Sequence, residues 1–102
     1  MSNLITFQKT QVVSVEVESF PTYYKHERIQ FFIMIASPEE SLKIFDAETW
    51  PSVSITRSNS VKDAFDDGMI PCTKEEFDMA LESAYQKITS IRSITLHHHS
   101  LI

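Results

Sequence analysis

Polar and apolar residues alternate from Gln11 to Glu18, where QVVSVEVE puts Val13, Val15 and Val17 on one side and Ser14, Glu16 and Glu18 on the other. A period of two is that of a strand with one buried face and one wet face. The run IQFFIMIA from Ile29 to Ala36 behaves differently. Ile29, Phe31, Ile33 and Ile35 share one side, and Phe32, Met34 and Ala36 share the other with Gln30, so both sides are apolar. Such a strand belongs in the middle of a sheet with cover on both faces. Between these runs, SFPTYYKHER carries Pro21 among mixed polar and aromatic residues and reads as a connection or the ragged end of a hairpin.

After Ala36 the stretch SPEE admits two readings. Ser37 and Glu40 match a capping box, with Pro38 at the first helical position. The same residues also make a four-residue turn into a strand SLKIFD, and a meander of neighbouring strands favours that short link. In WPSVSITRS, Val53 and Ile55 share a side, and Pro51 near its start suits a strand at the sheet edge. SNSVKDAFDDG has room for one helical turn, stopped by Gly68.

From Lys74 the period changes. Phe77, Leu81, Ala84, Ile88 and Ile91 recur at intervals of four and three, which predicts an amphipathic helix from Lys74 to about Ile91. Thr73 and Glu76 form its capping box, and Cys72 and Phe77 stand where a hydrophobic staple would. Glu75, Glu76 and Asp78 lie where the helix dipole favours negative charge. The elements combine into an α+β fold: an antiparallel meander of three or four strands with one long C-terminal helix across one face. Residues 1–93 make a single domain, and residues 94–102 a C-terminal tail.

Composition narrows the functional classes. At 102 residues the chain is one small domain, and with 42% hydrophobic and 23% charged residues it lacks the signature of disorder. Its single glycine, Gly68, excludes glycine-rich phosphate loops. The net charge is −5, and the nine lysines and arginines are spread along the chain rather than clustered, which argues against a nucleic-acid partner. No stretch approaches a membrane span, and MSNLITFQKTQVV lacks the basic start and apolar run of a secretion signal. With a single cysteine no internal disulfide forms, and a cytoplasmic location is expected.

Three groups of residues carry candidate chemistry. The first is the histidine run His97–His99, which with His26 offers a metal or small-ligand site. Adjacent side chains diverge on any regular backbone, however, so three consecutive histidines do not converge on one ion. The second is Cys72, placed just ahead of a helix N-terminus, where the dipole lowers a thiol pKa and favours a nucleophilic thiolate. Set against that enzyme reading is its place in the staple, where a cysteine is a small packed apolar group. The third is TYYKHERIQFF, in which Tyr23, Tyr24, Phe31 and Phe32 interleave with Lys25, His26 and Arg28. That is the composition of a base-stacking platform, and equally of a sheet core. Asp63, Asp66 and Asp67 lack calcium-loop spacing and read as a solvated acidic turn.

The expected function is therefore a small, acidic, non-catalytic protein that needs no cofactor or metal and binds a protein partner or itself, as a homodimer. The physical ground is area. One helix covers one sheet face, leaving Phe32 and Met34, with Tyr24 and Trp50, to be covered by the C-terminal tail, a second protomer or a different partner.

Overall fold

The strand with two apolar sides stands at the centre of the molecule. The computed structural model describes residues 3–8, 12–48 and 52–100, of which Val12, Val13 and the last ten are described through their backbone alone. In chain order the strands are β1 (Leu4–Gln8), β2 (Val12–Glu16), β3 (Thr22–His26), β4 (Phe31–Ser37), β5 (Glu40–Phe45), β6 (Ser54–Ser58) and β7 (Met69–Pro71). A 3-10 turn at Lys62–Phe65 precedes β7, and helix α1 (Lys74–Ser100) follows it. β1 and β2 form a two-stranded antiparallel ribbon. β3 to β6 run as an antiparallel meander, and β7 returns to pair with β3, so the main sheet has the order β6-β5-β4-β3-β7.

The α+β class and the meander agree with the sequence reading, but the strand count exceeds the expected three or four. β3 went unread because its five residues are all half-buried and show no alternation. β7 is only three residues long and ends in a proline, too short for any period to declare itself. The turn between β4 and β5 settles the reading of SPEE. The Ser37 hydroxyl accepts from the Glu39 N–H at 3.3 Å and donates to the Glu40 carboxylate at 3.4 Å, so the residues of an apparent helix cap instead close a hairpin.

Register divides the residues of β4 between two covers. Phe32 lies opposite Ile44, and Met34 opposite both Leu42 and Tyr23; this side packs on Phe77, Ala80 and Ala84 of α1. Ile33 lies opposite Tyr24, and Ile35 opposite Ser41. That side packs on Ile5 of the ribbon and on Val61 and Ala64 at the 3-10 turn. Aromatic contacts close this second layer, with Phe7 stacked on Phe65 at 5.2 Å and Tyr24 edge-on to the same ring at 5.4 Å. The expectation that Phe32 and Met34 await cover from outside is thereby corrected. They lie under the helix, and the ribbon with the 3-10 turn supplies the cover for the opposite face.

Helix α1 begins as the sequence implies. The Thr73 hydroxyl accepts from the Glu76 N–H, and the Glu76 carboxylate accepts from the Thr73 N–H, both at 3.1 Å, which satisfies two of the free donors of a helix start. The other oxygen of Glu76 pairs with Lys25 on β3. Farther along, Lys87 donates to Asp46 at 2.9 Å and to the Ala47 carbonyl at 3.0 Å, tying the helix to the end of β5. Its backbone continues past Ile91 to Ser100, so residues 94–100 of the expected tail are helical, and only Leu101 and Ile102 lie outside the described residues. Among the described residues no helix is long and apolar enough to cross a membrane.

The docking face of α1 predicts a graded response to truncation. Phe77 is 2% exposed, so Phe77→Ala is expected to cost about 3–5 kcal/mol. Half-buried Leu81 should lose less on truncation, and Thr73→Ala, which removes only the cap, about 1 kcal/mol. Urea unfolding of the three variants checks the order; a larger loss at Leu81 than at Phe77 would mean that another stripe faces the sheet.

Candidate functional site

The link between β3 and β4 is held from within. The Nδ1 atom of His26 accepts from the backbone N–H groups of Arg28 at 3.0 Å and Ile29 at 3.3 Å. Glu27 donates its N–H to the Gly68 carbonyl at 2.8 Å, and the Gln30 carbonyl accepts from Asp46 N–H at 2.8 Å. Gly68 has φ +91°, a conformation that side chains disfavour, and the imidazole of His26 occupies the space where a Cβ would stand, within 2.8 Å at Cε1. The one glycine of the chain thus serves both the turn into β7 and the seat of the histidine ring.

This braced turn forms one wall of an open cleft of about 590 Å3 between the start of α1 and the adjoining end of the sheet. Buried Phe32 and Ala80 lie at its base. Around them stand three exposed apolar side chains from three different elements: Ile29 on the turn (47% exposed), Ile70 on β7 (37%) and Met79 on α1 (73%). Register explains the place of Ile70, since Lys25 lies opposite both Phe32 and Ile70 and all three point to the helix side. Polar groups share the wall. Lys25 and Glu76 are paired with each other, and Asp46 is engaged by Lys87. Arg28, mostly exposed, makes a loose 3.9 Å contact with Glu27.

Charge within the cleft follows these pairings. The hydrogen bond from Lys25, followed by the Thr73 backbone N–H, holds the Glu76 carboxyl below its ordinary range, and the same bond raises the Lys25 ammonium above its own. Beside them Cys72 moves opposite to the expectation for a helix start. Burial, assisted by the Glu76 charge, pushes its thiol up to about 11. It packs against the cluster that contains Phe77, as the staple reading implies.

The residues singled out in the sequence are not brought together. Phe32 is in the cleft, Met34 lies under α1, Tyr24 faces the opposite layer, and Trp50 lies outside the described residues. The aromatic residues of TYYKHERIQFF divide likewise. Tyr23 meets Phe77 at 5.4 Å on the helix side, while Phe31 meets Phe45 at 5.9 Å on the other, so they form no common stacking surface. His26 directs Nδ1 to its own turn, and the side chains of His97 and His99 lie outside those described. Among the described residues no three His, Cys, Asp or Glu side chains gather as a metal site would require. Asp63 pairs with Lys43 at 2.7 Å. Ile29, Ile70 and Met79 were not anticipated. The one available signal was Met79, an apolar residue off the stripe of an amphipathic helix.

Comparison with known proteins finds no matching family model, no matching curated protein and no matching solved structure.

The raised thiol pKa has two measurable consequences. Alkylation of native Cys72 by iodoacetamide should be slow near pH 7 and accelerate only as the pH approaches about 11. Because the native state keeps a proton that the unfolded chain releases near 9.0, its stabilising contribution is complete below that pH and lost by about 11. Alkylation at pH 7 as fast as that of the unfolded chain would contradict this environment.

Proposed function

We propose that this chain is a small, non-catalytic protein-binding module that takes an apolar segment of a partner protein into the cleft beside α1. The observation that carries the reading is the convergence of Ile29, Ile70 and Met79 on one cleft. Single exposed apolar residues are ordinary, as Leu4, Phe45 and Tyr85 are here. Three around a common base, with an arginine and an ion pair beside them, have the make-up of a contact surface: an apolar centre and a polar border, enriched in methionine and arginine. The cleft is open to solvent, which suits a chain segment better than a small molecule that must be enclosed. The protonated, packed state of Cys72 supports a non-catalytic role.

The partner surface differs from the one first expected. Phe32 remains part of it, at the base of the cleft, while Met34 and Tyr24 belong to the two core layers. A homodimer stays within the proposal when the inserted segment comes from a second copy.

Met79→Lys tests the reading without disturbing the fold, because a side chain 73% exposed contributes little to stability and the change should stay within about 0.5 kcal/mol. Wild type and variant are used as baits in extract of the source cell, and the free chain is weighed by light scattering. The expected result is a protein bound by wild type and roughly tenfold weaker or absent on the variant. A dimer mass abolished by Met79→Lys identifies the partner as a second copy. Equal retention on both baits, with no change in mass, rejects the cleft as the contact surface.

A further inference from the structure

Taking the cleft as the binding surface, we propose that His26 is an acid-sensitive latch on it: unprotonated at Nδ1, the ring holds the turn that presents Arg28 and Ile29, and protonation releases that turn. The proposal stands on hydrogen-bond direction. Two backbone N–H groups, of Arg28 and Ile29, point at one nitrogen. They can do so only while that nitrogen has a lone pair, so the neutral ring carries its proton on Nε2. An imidazolium has donors at both nitrogens and no acceptor. On protonation the two N–H groups therefore lose their acceptor and face a third donor.

The ring has little freedom to turn away from the conflict. Gly68 lies against its Nε2, Cε1 and Cδ2 edge, and β3 fixes the His26 backbone opposite Met69. Release is therefore expected in the turn and not in the sheet. Beyond Ile29 the backbone is held independently, by Phe31 N–H on the Ile29 carbonyl and Asp46 N–H on the Gln30 carbonyl. The charged neighbours have mixed signs. They are Glu27 and Arg28 in the turn, and Asp66 and Asp67 just before Gly68. Across the cleft, Lys25 with Glu76 and Lys87 with Asp46 are already paired. The device needs only a change in the charge of the ring, the change that suits histidine to switching. Its output is the loss of Ile29 and Arg28 from the cleft, with Ile70 and Met79 left in place.

The test begins on the free protein, so it does not depend on a partner being found. Amide and imidazole signals are followed by NMR from pH 8 to pH 5 in 15N-labelled wild type and in His26→Phe, which keeps a ring over Gly68 but has no acceptor and no titration. In wild type the ring nitrogens should report the Nε2–H form at pH 8. The Arg28 and Ile29 amide protons should then move upfield with the midpoint of His26 itself. In His26→Phe both amides should stay flat, at positions near the acid limit of wild type. An Nδ1–H ring at pH 8, or flat amides while His26 titrates in wild type, overturns the proposal even if the variant does not fold. Once a partner is in hand, retention by wild type should fall at least severalfold at pH 5.5 while His26→Phe shows no such dependence. Moving amides with unchanged retention would overturn the regulatory claim and leave the cleft reading intact.

Discussion

A strand that is apolar on both sides cannot be satisfied by one layer, and β4 imposes that condition on everything around it. Fully burying Ile33 and Ile35 on one side, and Phe32 on the other, is worth about 1.5–3 kcal/mol for each side chain. Neither gain is realised unless its own cover is in place. The helix alone would leave Ile33 and Ile35 in water, and the β1–β2 ribbon with the 3-10 turn alone would leave Phe32 and Ile44 there. The three-layer arrangement is the smallest answer this chain has to that demand. It also explains why so short a chain devotes its first strand to the face opposite its helix.

The cleft exists because the helix is fixed by polar groups at two places and by small residues between them. Glu76 acts twice, with one carboxylate oxygen closing the cap at Thr73 and the other reaching Lys25 on β3. The start of the helix and its position on the sheet are therefore set by one side chain. Between these two anchors, buried Ala80 and Ala84 bring the helix backbone close to the sheet. The space between the β3–β4 turn and the helix is the cleft. Partly exposed ion pairs contribute little to stability on average, and their value here lies more in position than in energy.

Periodicity made much of this legible. The central strand, the edge strand β6 and the capped helix followed from spacing, because each has a period or a cap that local physics alone requires, whereas the hairpin to β5 was favoured over a helix start only by the short links of a meander. β3 and β7 were obscured because neither has alternation to read, being defined by the strands beside them. The assignment of Phe32 and Ile33 to opposite covers was likewise beyond reach, since a strand with two apolar sides does not say which side meets the helix. The cleft was least visible of all. Ile29, Ile70 and Met79 stand on a turn, a short strand and a helix, and only the tertiary fold brings them together. Cys72 shows the remaining limit: its position ahead of a helix suggested a lowered thiol pKa, but burial and the Glu76 charge, both tertiary effects, reversed the direction.

An open five-stranded sheet has two borders, and unpaired strand borders are templates on which other chains can stack into aggregates. Here one border is β7, three residues long and ended by Pro71, which has no N–H to offer. The other is β6, where Arg57 is mostly exposed and lies 3.7 Å from Glu40, placing charge along the strand. Both borders are thus poor places for a foreign strand to add on. The main sheet can therefore sit beside exposed apolar side chains such as Ile70 and Met79 without offering a long, uncharged border for a foreign strand to extend.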